Sequence, residues 1–172
     1  MPNCISHVCS AAMLAFAMML SSASHGSAEG LKPAVVSASG VIATRSAYDV
    51  DETVERLKKD IAAKGIVFFQ QIDQQALAAK AGIELRPSVL LIFGNPPLGT
   101  QFMTANPQAG LDWPVRMLVY RDAQGAVWVA WTDFAWIAHR HGVTTREAQF
   151  HMASEVAASI AASTSARCGA RP

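Results

Sequence analysis

Six polar residues of this chain stand where the side chains of a small domain converge. Asp73, Arg86, Asn95, Asp112, Arg116 and Asp133 lie at the ends of predicted strands or beside a long stretch rich in proline and glycine. Pockets form preferentially at such places. An arginine facing carboxylates binds a small anion or holds a general acid at a shifted pKa. Carboxylate and arginine chemistry on a small molecule is therefore one function open to these residues, as an enzyme site or as a binding site. Each also has a plainer role: Asp73 and Asp133 as helix caps, Asn95 and Asp112 in turns, Arg86 and Arg116 as ion-pair partners. The plainer account is the simpler one, because cap positions follow from the local pattern whether or not a site exists.

Other chemistries have less support. His139-Arg140-His141, with His151 beyond, is the one histidine cluster of the mature domain. Two residues apart on a helix point about 200° apart and do not share a metal. Zinc wants at least three protein ligands, and no Cys or Glu at suitable spacing completes a set, so no metal is expected. His near a helix C-terminus is favourable for the dipole alone. The chain has no Gly-x-Ser-x-Gly elbow, no Walker loop and no Gly-x-Gly-x-x-Gly, so no cofactor is expected either. Trp113, Trp128, Trp131 and Trp136 read as core or interface residues.

The elements that must position these residues follow from periodicity and caps. Gly40 to Ser46 reads as a first strand. Asp49-Val50-Asp51-Glu52 is a capping signature, and Val50, Val54, Leu57 and Ile61 form one helical stripe, ended at Gly65. Glu52 with Arg56, and Glu55 with Lys59, are spaced as ion pairs. Ile66 to Ile72 is a β-branched and aromatic strand. Asp73 caps a short helix, Gln74 to Ala81. Val89 to Phe93 lacks polar alternation, as a strand covered on both faces does, and is expected at the centre of the sheet. Gly94 to Asp112 reads as a loop of about nineteen residues, long enough to be functional. Val115 to Arg121 and Ala126 to Thr132 form a hairpin about Asp122-Ala123-Gln124-Gly125. Trp128 and Trp131 then point to opposite faces, and an apolar second face would make a dimer surface or a ligand floor. Asp133 caps a helix to Arg140. Thr144-Thr145-Arg146-Glu147 reads as another capping box, with Met152, Val156 and Ile160 as the buried stripe of a last helix fraying at Ser163. The order β-α-β-α-β-β-β-α-α with its tight hairpin favours an α+β two-layer sandwich: a mostly antiparallel sheet with helices on one face.

The chain has 172 residues, 51% of them apolar, with 14 basic and 13 acidic side chains. That is material for one domain with a real core. The near-balanced charge, with basic residues scattered, argues against nucleic acid as a partner. Residues 1–28 carry no Lys, Arg, Asp or Glu, and Ala11 to Leu20 is an unbroken apolar run. It is shorter than the roughly 20 residues a membrane span needs and is followed by small residues, so 1–28 is expected to be a signal peptide cleaved near Gly26-Ser27-Ala28. The alternative is an anchoring or merely apolar N-terminal helix. Residues 29–39 read as a linker, 40–163 as the domain and 164–172 as a flexible tail. Cys4 and Cys9 leave with the signal, and Cys168 alone has no partner within the chain. The mature protein is then periplasmic or secreted, with no stable membrane insertion.

Several motifs occur in order: Thr53-Val54-Glu55-Arg56-Leu57, Ile72-Asp73, Leu85-Arg86-Pro87, Ile92-Phe93-Gly94-Asn95-Pro96, Gly99-Thr100, Leu111-Asp112-Trp113-Pro114, Gly125-Ala126-Val127-Trp128 and Arg140-His141-Gly142. Over roughly residues 44–142 the series resembles the bacterial and archaeal domain-of-unknown-function 302 family. The resemblance implies a TATA-binding-protein-like helix-grip arrangement, often dimeric, and no reaction. This chain departs from it at Gln74, where His is common, and at Trp131-Thr132-Asp133-Phe134, where Tyr-Asn-Asp-Pro is common. The expectation is a non-enzymatic module that binds a small ligand or an envelope protein, acting as a homodimer. The rival is an enzyme acting on a small molecule at the 94–112 segment.

Overall fold

A computed structural model describes residues 35–165. The expected signal peptide, its two cysteines, and Cys168 lie outside the described residues. Six antiparallel strands form one sheet: β1 (Val35–Val36), β2 (Val41–Arg45), β3 (Val67–Asp73), β4 (Ser88–Gly94), β5 (Val115–Arg121) and β6 (Val127–Thr132), in the order β1-β2-β6-β5-β4-β3. The expected α+β sandwich is the observed one. Val89, Leu91, Phe93, Met117, Val119, Val127, Val129 and Trp131 are all buried and all at odd positions, so they share the face beneath the helices.

Helix α1 (Val50–Ala63) starts where Asp49 accepts from the amide of Glu52 at 2.8 Å. Its stripe of Val50, Val54, Leu57 and Ile61 is buried as the spacing predicts, and Gly65 takes the left-handed conformation that ends it. Glu52 pairs with Arg56, but Glu55 pairs with Lys58 rather than Lys59. Asp73 likewise caps α2 (Gln74–Lys80), and Gln74 accepts a hydrogen bond from Ser88 that ties this helix to β4.

Other expectations change. The Gly94–Asp112 loop is mostly helical: Asn95 caps α3 (Pro96–Ala105), and Asn106 caps a 3-10 turn, Pro107–Leu111. The prolines that read as breakers sit in first turns, where a missing N–H has no helical partner to lose. Strand β4 is interior but not central; β5 and β6 hold the middle, and Leu90 and Ile92 are only half-buried on the second face. Finally, Thr144 caps nothing. After α4 (Phe134–Arg140), helix α5 (Glu147–Ala162) opens at Arg146, left-handed with φ 81° and without a side-chain cap. Its buried stripe is Phe150, Ala153, Ala157, Ile160 and Ala161, while Met152 is 54% exposed. Phe150 stacks on Phe102 of α3 with centroids 4.2 Å apart, and the alanines let α5 approach its neighbours closely. The stripe thus follows the fit to neighbouring helices rather than side-chain size.

The chain beyond α5 is tied back. Thr164, at the first position of the expected tail, is fully buried, and its carbonyl accepts from the amide of Ala47 at 3.0 Å. Ser46 reaches the same carbonyl and shares a 2.6 Å hydrogen bond with Thr53.

Candidate functional site

The register separates the six candidate residues into two groups. Asp73 pairs with Val89 at one end of the sheet, and Arg86 precedes β4 at that same end. Asn95, Asp112, Arg116 and Asp133 lie at the other end, where Phe93 pairs with Val115 and Ile92 with Arg116. Three of the six are helix caps: Asp73 accepts from Ala76 N, Asn95 from Leu98 N and Asp133 from Trp136 N. Arg86 is exposed, with no ion pair among the described residues.

Asp112 and Arg116 do come together, and two residues outside the six join them. Asp112 follows the 3-10 turn and its side chain is 6% exposed. Its Oδ2 lies 2.6 Å from Nε2 of His141, whose side chain is 4% exposed. Arg140 Nη1 donates to both carboxylate oxygens, at 3.3 and 3.2 Å. Arg116 Nη2 donates to Oδ1 at 3.1 Å and to the carbonyl of Leu111 at 2.7 Å. One buried carboxylate thus holds two guanidiniums and an imidazole.

The supporting elements explain the convergence. Trp113 lays its ring where side chains on Gly94 and Gly99 would stand, so the absence of Cβ at both lets the ring next to Asp112 pack against the end of β4 and against α3. Arg140 and His141 arrive at the C-terminus of α4, where positive charge is favoured. The carbonyl of His141 accepts from Asn106 Nδ2 at 2.7 Å, locking α4 to the 3-10 turn. The Arg140 guanidinium lies 5.6 Å from the Trp136 ring centroid, within cation–π range. Sequence spacing places Arg140 and His141 on a helix end but carries no sign of a partner 28 and 29 residues away.

Two clefts adjoin this centre. An open one of about 240 Å³ is lined by Asp112, Arg116, Thr132 and the apolar Val115, Phe134 and Ile137. An apolar one of about 330 Å³ runs between Trp113, Leu98, Phe93 and α5. The first is a shallow cleft open to solvent. At the far end of the sheet, the Trp128 indole donates to Asp122 Oδ2 at 2.7 Å. That bond is the main reason the Asp122 carboxyl is held below its ordinary value of 3.8, helped by the amides of Ala126 and Gln124. Among the described residues no three His, Cys, Asp or Glu side chains cluster as metal ligands.

The chain belongs to the family described as "Domain of unknown function DUF302", which it matches over residues 42–165. The crystal structure of an uncharacterized conserved DUF302 protein from Bacillus stearothermophilus superposes with a TM-score of 0.67, covering 73% of this chain and 98% of that one. At 16% identity that likeness shows the fold alone. Similar curated proteins include "Fluoride-specific ion channel FluC 1" of Brucella suis biovar 1 and the protein of the same name from Brucella abortus biovar 1, each 40% identical over 105 residues. The match spans 61% of this chain but only 41% and 39% of those proteins. Among the described residues no helix is long and apolar enough to cross a membrane.

Proposed function

We propose that this chain is an exported, non-enzymatic module that binds a small anion, working outside the cytoplasm as a homodimer. The observation that carries the reading is the Asp112 centre. Two permanent positive charges and an imidazole meet a single carboxylate, so the cluster holds surplus positive charge beside an open cleft. The Brucella proteins support an anion: a part of each resembles this chain and the remainder is left for the channel that its name describes. We read this chain as a counterpart of that part.

The homodimer rests on the second face of the sheet. Ala43, Ala130, Leu118, Leu90 and Ile72 form one apolar row across five strands, opposite the helices. Such a row is a natural self-complementary surface. Native mass spectrometry of the processed protein from its own envelope tests all parts together. A dimer carrying a small additional mass supports the proposal; a bare monomer refutes it.

The rival reading is acid–base catalysis by Asp112 and His141, favoured by their buried 2.6 Å contact. Against it, both carboxylate oxygens are already engaged by guanidiniums, and a general base must reach the proton it removes.

A further inference from the structure

We propose that Arg140 and Arg116 form the recognition site for a small oxyanion, a carboxylate or phosphate group, held bidentately on the Arg140 edge that Asp112 leaves unused, with Arg116 as a single donor beside it. This inference rests on the anion-binding reading above and names its ligand class and its residues.

A guanidinium has five N–H donors in a planar fork. Arg140 spends only Nη1 on Asp112, so its Nε–Nη2 edge, the one that fits an oxyanion bidentately, has no protein partner among the described residues. Arg116 spends Nη2 on Asp112 and Leu111, and keeps Nε and Nη1. Both engaged nitrogens lie within 3.3 Å of the same oxygen, Asp112 Oδ1, so the free Arg140 edge and the single donors left on Arg116 are held side by side. Both side chains are about half-exposed, at 46% and 49%, whereas the carboxylate between them is buried. No second carboxylate comes within 4.0 Å of either guanidinium among the described residues, which leaves the pair with net positive charge toward solvent.

The arrangement is also braced by neighbouring side chains. Asp112 is fixed by His141, and Arg140 is fixed against Trp136. Holding the guanidiniums in place before the ligand arrives lowers the entropy lost on binding. Asp112 is therefore a positioning residue here, with its own charge neutralised by the groups it orients. The chemistry suits a planar or tetrahedral oxyanion, since arginine, unlike lysine, offers paired donors in one plane.

The test titrates the processed protein at low ionic strength with sodium formate and, separately, with inorganic phosphate. Binding is followed by the Nε–H resonances of its arginines. Saturable shifts at Arg140 and Arg116 are expected with at least one of the two probes, and the preferred probe tells planar from tetrahedral recognition. Arg140→Gln is expected to weaken binding by at least about tenfold, and Arg140→Lys, which keeps the charge and loses the fork, by a similar factor. Arg56→Gln, which breaks a remote surface pair, leaves affinity unchanged. If Arg140→Gln proves unfolded, Arg140→Lys decides. No saturation with either anion, or an affinity within twofold of wild type in the folded variant, overturns the proposal. Native masses then separate the two levels. A ligand retained equally by wild type and Arg140→Gln removes this site but keeps the binding module. A wild type that retains nothing and titrates with nothing removes both.

Discussion

Replacing Asp112 by alanine removes the one acceptor that gathers Arg116, Arg140 and His141. The loss divides by burial. The arginine contacts are half-exposed, and exposed pairs of this kind contribute about 0–1 kcal/mol each. The histidine contact is buried on both sides at 4% and 6% exposure. Stripping one partner from a buried polar group costs about 1–3 kcal/mol, and up to about 3–5 where the group left behind is charged. A loss of about 2–4 kcal/mol follows, large against the 5–15 kcal/mol typical of a whole domain. Urea unfolding followed by circular dichroism measures it, with an unchanged m-value showing that stability alone has moved. A thermal midpoint lower by roughly 6–16 °C accompanies it. Asp112→Asn keeps one acceptor and the shape, so it loses less. The cycle of Asp112→Ala and His141→Ala gives a coupling energy above about 1 kcal/mol, because the two buried groups depend on each other. An Asp112→Ala protein within about 0.5 kcal/mol of wild type, the scale of an ordinary surface change, refutes the argument that this carboxylate organises the centre.

Gly99→Ala places a methyl group into the Trp113 ring and is expected to destabilise by about 1–3 kcal/mol, read as a lower thermal midpoint. Thr53→Val strips the buried Ser46 hydroxyl of its 2.6 Å partner and is expected to lower the urea midpoint by about 1–2 kcal/mol equivalent. Leu118→Glu on the second sheet face is expected to convert the proposed dimer to a folded monomer in sedimentation; a dimer that persists places the interface elsewhere. The folded Asp122 carboxyl titrates below 3.8, so its contribution is complete above that pH and is lost as pH falls through the lower folded value. The stability gap between wild type and Asp122→Asn therefore closes on acidification, as monitored by acid unfolding followed by tryptophan fluorescence.

Much of this was legible in the chain because it is local. An acceptor three residues ahead of an amide caps a helix wherever the helix sits, so Asp49, Asp73 and Asp133 announced their roles, and Gly65 and Gly125 announced theirs. Alternation along β5 and β6 sent Trp128 and Trp131 to opposite faces. Where local signals had two meanings the tertiary context decided. Asn-Pro pairs at 95–96 and 106–107 both break and start helices, and packing against Trp113 and Phe150 makes them starts. Thr144 carries a capping pattern that goes unused, because α5 begins at the register that buries Phe150 and its alanines.

The site divides the same way. The sequence alone determined the residue types, the ends of the strands on which they stand, the fold class and the family. It pointed to Asp112 and Arg116 among six candidates, and it did so because polar residues at strand ends are few. Only the tertiary structure decided that Asp73 and Arg86 lie at the opposite end of the sheet, and that Arg140 and His141 complete the centre. Strand order and helix docking set those distances. They are fixed by how an entire apolar face packs, and no short run of residues records that.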